Sequence, residues 1–300
     1  MLPRMPMTRR TFLAQTALLT AAHALGAGAG DAIIDIHQHT NYSGRSNAAL
    51  LEHQRKLGIT HTVLLPAGKF YGLDAQCGGN DSVHDMRRSH PGEFSVFANE
   101  MPYEKDAEGV IRKYLKDGAI GIGEQKFRVF ADSGYIERVA AIAKEFNVPV
   151  LLHFWDADYN MELPRFHRIL EKFPTVNFIG HAQTWWGHID KRYDAKTMYP
   201  KGPVTPGGIT DRLLADHANA YADLSAFSGH NALVRDEAFT RDFMQRHADK
   251  LLFGTDCADS VGEGDKCTGA QILAAVRRLA PSKAVERKVL HDNAKLLMKL

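Results

Sequence analysis

From Ile33 onward, short apolar runs alternate with longer stretches whose apolar residues recur at helical spacing. Runs of this kind, bounded by glycine, proline and aspartate, read as buried strands joined by amphipathic crossover helices, a pattern of parallel sheets. Strands are predicted at Ala32–Gln38, His61–Pro66, Phe94–Asn99, Ala119–Phe127, Val148–Phe154, Val176–His181, Tyr221–Ser225 and Leu251–Thr255. Helices are predicted at Ala48–Leu57, Asp81–Ser89, Lys105–Lys116, Tyr135–Phe146, Leu163–Phe173, Thr210–His217 and Glu237–His247, with Ala270–Leu279 and Val285–Leu300 closing the chain. The stripe Ile136, Val139, Ala140, Ala143 and Phe146 shows the helical period most plainly.

Eight strand and helix pairs over about 270 residues fit an α/β fold, a (β/α)8 TIM barrel with C-terminal helices. An open doubly wound sheet is the alternative, but no Gly-x-Gly-x-x-Gly follows the first strand. The stretch Thr184–Gly208 is too long for a plain connection and reads as a functional loop.

Residues 1–29 have a different character. Thr8-Arg9-Arg10-Thr11-Phe12-Leu13, the apolar run Ala17–Leu25 and the small residues Ala27-Gly28-Ala29 look like a bacterial twin-arginine export signal. The expectation is a periplasmic or secreted domain of residues 30–300 that has passed through the twin-arginine export machinery. The apolar run is too short to span a bilayer, so no stable membrane anchor is expected. Cleavage removes Arg4, Arg9 and Arg10 and no acid, leaving 34 basic against 35 acidic residues, about −1 overall. A near-neutral protein gives no reason to expect nucleic acid as a partner. Export permits disulfides among Cys77, Cys257 and Cys267, one of which must stay unpaired. None forms a CxxC pair, so a cysteine-zinc site is not expected.

Catalytic groups of such barrels sit at the carboxyl ends of the strands. The first strand ends in His37-Gln38-His39, whose two imidazoles share one face because side chains alternate. Alternation also puts Glu124 and Lys126 on one face of the fourth strand. His153 ends the fifth strand, His181 the sixth, and Asp256 follows the eighth. A single rim histidine is ordinarily just hydrogen-bonded to a loop, but four histidines and two carboxylates on one rim read as a metal site. Imidazole and carboxylate suit zinc, and manganese or iron fit as well.

The segments IDIHQH, LLHF, IGHA and LLFGTD occur in this order along the chain. With them the sequence resembles the amidohydrolase superfamily of metal-dependent enzymes, particularly the branch of aminocarboxymuconate-semialdehyde decarboxylase, resorcylate decarboxylases and certain lactone hydrolases. The resemblance implies His37, His39, His153 and Asp256 as metal ligands. It makes His181 a catalytic histidine in one-ion members and a further ligand in two-ion members. In two-ion members the bridge is a glutamate or a carboxylated lysine on strand four; of Glu124 and Lys126, Glu124 is preferred, a buried ion pair with Lys126 or Arg128 being its alternative. Asp256 would take the proton of a metal-activated water and pass it to the leaving group.

The reaction expected is hydrolysis of an ester, lactone or amide bond in a small organic molecule. A nonoxidative decarboxylase of the same superfamily and a catalytically inactive metal- or ligand-binding barrel are the alternatives. Trp185 and Trp186 are candidates for a lid with an aromatic wall, or else pack their loop onto the barrel. Arg128 is a candidate clamp for a substrate carboxylate, or else a surface arginine. The last helix, with Leu290, Leu296, Leu297 and Leu300, packs on the barrel or makes a homodimer.

Overall fold

The structure, a computed structural model, describes residues 32–68 and 77–300; the predicted export signal lies outside these residues. The unit that carries the fold runs from Ile33 to Leu300. Its strands are β1 Ile34–Gln38, β2 His61–Leu64, β3 Phe94–Val96, β4 Ile122–Gln125, β5 Val150–His153, β6 Phe178–His181, β7 Ala220–Asp223 and β8 Leu251–Leu252. All are parallel to their neighbours, in the orders β1-β2-β3 and β4-β5-β6-β7-β8. Two seams close the ring. Gly123 N donates to Ala98 O at 2.9 Å, and Ile36 N donates to Phe253 O at 3.1 Å. The result is the (β/α)8 barrel that the alternation predicts.

The helices are α1 Asn47–Lys56, α2 Asn80–Ser89, α3 Ala107–Lys116, α4 Gly134–Phe146, α5 His167–Lys172, α6 Gln183–Gly187, α7 Ile209–Asp216, α8 Ala226–Val234, α9 Glu237–Arg246, α10 Thr268–Leu279, α11 Lys283–Arg287 and α12 Asn293–Met298. Local sequence sets their ends. Ser46 and Ser133 cap α1 and α4 by accepting from Ala49 N and Ile136 N, and Asn147 stops α4 in the left-handed conformation.

Packing follows the pleat. Ile34, Ile36, Val63, Leu65, Phe97, Leu151, Ile179 and Leu252 fill the barrel, and Ala294, Leu297 and Met298 of α12 join that cluster. Leu64, Val96, Val150, Leu152 and Phe178 belong instead to the larger layer shared with the helices. Each such side chain stabilises the fold by roughly 1.5–3 kcal/mol on burial. The C-terminal helix therefore packs on the barrel, with Leu297 inside and Leu296 81% exposed. Among the described residues no helix is long and apolar enough to cross a membrane.

Three elements depart from the predicted pattern. Pro164 turns the start of the predicted fifth helix into a single tight turn, Leu163–Arg165. The supposed loop from Thr184 opens with α6, which carries both tryptophans. Helix α8, whose middle Ser228-Gly229-His230-Asn231 has weak helical preference, is not predicted at all.

Candidate metal centre

His37 and His39 leave β1 where its register with β2 shifts, between Asp35 and Gln38. Such an irregularity re-aims side chains. Both imidazoles meet Glu124 from β4, His181 from β6 and Asp256 beyond β8. His37 Nε2 lies 3.2 Å from His39 Nε2, and each is 3.6 Å from Glu124 Oε2. Asp256 Oδ1 stands 3.8 Å from His37 Nε2 and 3.5 Å from His39 Nε2. His181 Nε2 is 3.6 Å from Asp256 Oδ2 and 3.8 Å from Glu124 Oε1.

The far nitrogens are already committed. His39 Nδ1 donates to Leu65 O at 2.8 Å, since a carbonyl can only accept. His37 Nδ1 lies 2.7 Å from Asp223 Oδ2, and His181 Nδ1 is 3.1 Å from the same oxygen. These bonds turn the Nε2 atoms of His37 and His39 toward one point, where a positive charge has to lie between them. Two nitrogens about 2.0–2.1 Å from one ion are spaced by about 3 Å, which fits the pair. His181 Nε2 and Asp256 Oδ1, both buried, have no hydrogen-bond partner among the described residues. Orphaned donor atoms aimed at a common point suit an ion there.

The electrostatics make the same demand. Burial pushes the Asp256, Glu124 and Asp223 carboxyls up, but the surrounding histidines outweigh it and hold all three below the usual carboxylate range. Burial opposes charge on His37, yet Asp256 and Asp223 raise it well above an ordinary imidazole. A buried group of ionised carboxylates requires compensating cations, and neutral imidazole with carboxylate is the donor set of zinc, manganese and iron.

Comparison with known proteins gives the family of the barrel. The sequence matches the amidohydrolase family over residues 34–299, nearly the whole described barrel. The chain belongs to the amidohydrolase family. No curated protein matches it. Among solved structures, an uncharacterized TIM-barrel protein from Bordetella bronchiseptica is similar at 16% identity and TM-score 0.63, covering 89% of this chain and 98% of that one. A putative 2-pyrone-4,6-dicarboxylic acid hydrolase from Pseudomonas putida is similar at 18% identity and TM-score 0.61, covering 89% of this chain and 97% of that one. A 5-carboxyvanillate decarboxylase from Novosphingobium aromaticivorans, with bound manganese, is similar at 15% identity and TM-score 0.56, covering 84% and 80%.

Within this amidohydrolase, the remaining candidates fall in different places. His153 Nδ1 sits 2.5 Å from Glu124 Oε1, and its ring lies beside that of His181, with centroids 5.2 Å apart. Burial pushes His153 down to about 4, against the pull of Glu124. Lys126 lies past the end of β4, with Nζ 5.4 Å from the centre of the Tyr159 ring. Glu124 falls within the ladder irregularity between Ile122 and Gln125, and Lys126 beyond it.

All three substrate candidates are corrected by their surroundings. Trp185 is fully buried in the layer between sheet and helices and stacks on Phe154 at 5.5 Å, and Gly180 leaves the room, since a Cβ there would lie 2.3 Å from its ring. Trp186 is also buried, and its indole N–H donates to Asp223 O at 2.8 Å. Neither is a lid; Trp185 packs against Phe154 and Phe166, and Trp186 against Phe243 of α9. Arg128 is an exposed side chain paired with Asp158, so the clamp expectation gives way to a surface ion pair.

Four participants are not among the sequence candidates. Asp223 anchors two imidazoles at once, and Ser225 Oγ donates to its Oδ2 at 2.7 Å. Gly254, next to Thr255 and Asp256, makes the close approach possible: a Cβ there would sit 2.7 Å from Asp223 Oδ1 and 3.0 Å from His37 Cβ. Tyr42 stacks edge-on against His39 at 5.1 Å and hydrogen-bonds Asp256, whose charge, with burial, pushes the phenol up. Ala182, Ala226 and Asp256, at the ends of β6, β7 and β8, have φ of 83°, 61° and 42°. Non-glycine residues in that region cluster at functional sites.

Proposed function

We propose that this amidohydrolase hydrolyses an ester, lactone or amide bond of a small organic substrate, using one or two divalent ions held at the barrel mouth. The observation that carries the reading is the position of Glu124. Its Oε2 is 3.6 Å from Nε2 of both His37 and His39, and its Oε1 is 3.8 Å from His181 Nε2. It thereby spans two ligand sets, His37-His39-Asp256 and His37-Glu124-His181, each with ligand atoms within 4.8 Å of one another. The two sets share His37, whose Nε2 can serve one ion, so Glu124 and His181 are the donors left for a second. Zinc is the first choice for these donors, with manganese, present in one structural neighbour, or iron next.

Bound metal would supply Lewis-acid polarisation of the substrate carbonyl and a lowered pKa for an attacking water. The chain's own groups do the rest. Asp256 is ionised and its side chain is 11% exposed, more than the four histidines or Glu124, so it is placed to take a proton and return it to the leaving group. His181, whose Nε2 has no hydrogen-bond partner among the described residues, orients the substrate oxygen. Asp223 fixes the rings of His37 and His181, and Tyr42 fixes Asp256. A hydrolase among the structural neighbours supports the reading. The reading includes export, on the strength of Arg9-Arg10 and the apolar run behind them, and cell fractionation of the full chain tests that part.

The test of the reaction is product analysis of metal-loaded protein against panels of lactones, esters, amides and aromatic carboxylic acids. Ring-opened or cleaved products that disappear in Asp256→Asn are expected. Release of CO2 from the acids with no hydrolysis of the other panels would overturn the hydrolytic reading in favour of decarboxylation.

A further inference from the structure

A second cluster of ligand atoms stands apart from the four histidines. The imidazole of His53 on α1 and the thiols of Cys257 and Cys267 are buried, with ligand atoms within 4.8 Å of one another. Cys257 Sγ lies 3.8 Å from Cys267 Sγ, and His53 Nε2 lies 3.3 Å from Cys267 Sγ. Disulfide sulfurs are about 2.05 Å apart. Two thiolates each about 2.3 Å from a tetrahedral zinc are about 3.8 Å apart.

The orientation of His53 follows from a chain of hydrogen bonds. Gln54 Nε2 donates to Asp35 Oδ2 and to Thr62 Oγ1, both at 2.8 Å, so its Oε1 is the acceptor that faces His53 Nδ1 at 2.8 Å. Nδ1 therefore carries the proton and Nε2 presents its lone pair to the thiols. Metal-binding histidines are held this way, by a hydrogen bond from the nitrogen that does not ligate. Beside the cluster, Asp259 accepts from Val261 N at 3.0 Å and Gly262 N at 2.8 Å through Oδ2. Asp259 is half-buried, which gives the cluster a side open to an arriving ion.

We infer that His53, Cys257 and Cys267, with a water in the fourth position, form a structural site for a zinc-like divalent ion, separate from the barrel-mouth centre. The spacing of the cysteines gives no hint of it, because the ligands come from α1, from the residue after Asp256 and from the N-cap of α10. Such an ion would clamp the segment Cys257–Cys267 to α1. Asp256 immediately precedes the clamped segment, so the site would hold that carboxylate in place. The inference does not depend on which reaction the barrel mouth performs.

The test uses the full folded domain, stripped with a chelator under thiol reductant and reloaded anaerobically with cobalt(II). Thiolate ligation gives a sulfur-to-cobalt charge-transfer absorption in the near ultraviolet, which histidine and carboxylate ligation do not. The expected result is that absorption in the wild type and in His37→Ala. Cys257→Ser and Cys267→Ser should each lose it, along with one metal equivalent. Wild-type protein that binds cobalt without the absorption would overturn the site, whatever the serine variants do. So would a Cys257–Cys267 disulfide found by peptide mapping of protein purified without reductant.

Discussion

His37 Nδ1 lies 2.7 Å from Asp223 Oδ2, a buried pair joining β1 to β7, and His181 Nδ1 reaches the same oxygen at 3.1 Å. One carboxylate thus sets the tautomer and tilt of two rings that face the candidate centre. Outer partners of metal-binding histidines contribute about 10–100-fold to metal affinity or activity. Asp223→Asn should therefore weaken metal binding by about 10–100-fold while the fold survives. Chelator competition read beside a thermal melt checks this, and unchanged affinity would remove Asp223 from the account.

Gly254 makes the complementary prediction. A Cβ at that position would stand 2.7 Å from Asp223 Oδ1 and 3.0 Å from both His37 Cβ and Ser225 Cβ. Gly254→Ala should cost about 1–3 kcal/mol by overpacking, and should lower metal affinity as well, since the atoms displaced belong to the anchor of His37. Urea unfolding and the same chelator competition give both numbers.

Tyr42 tests the support of Asp256. Tyr42→Phe keeps the ring against His39 and removes only the hydroxyl from the carboxylate. Hydrogen bonds to charged groups contribute about 1.5–3 kcal/mol, so kcat/KM should fall by about 10–100-fold. Metal content should not change. A fall in metal content with unchanged kcat per metal would assign Tyr42 to ion retention instead.

Away from the centre, Asp211 predicts a pH dependence of stability. Burial raises its pKa, but hydrogen bonds from His247 and Arg246 outweigh that and hold it below the ordinary aspartate value. A group depressed in the folded state stabilises above its unfolded pKa and loses that contribution as pH falls through the folded value. Wild type should exceed Asp211→Asn by about 1–3 kcal/mol at neutral pH. The gap should close below about pH 4, where the unfolded aspartate takes up its proton. Urea melts of both proteins from pH 7 downward measure it.

Much of this architecture is legible in the residues. Period-two runs ending in His37, His153 and His181 show the strands and their active ends, because the pleat fixes which side chains leave together. What eludes sequence is whatever the ring brings together across long separations. Asp223 ends β7 as plainly as Asp256 follows β8, yet its partners His37 and His181 are 186 and 42 residues away in sequence, and nothing local marks it. Trp185 and Trp186 look like loop tryptophans until α6 turns them inward. Lys126 shares a face with Glu124 in the predicted strand, but β4 ends at Gln125, one residue before it.

The metal content of purified domain, wild type beside His37→Ala and Asp256→Asn, tests the barrel-mouth centre most directly. The account predicts that wild type retains at least one equivalent of a transition metal there. Both variants should fall short of wild type by at least one equivalent while melting as folded proteins. Equal metal content in all three would contradict it.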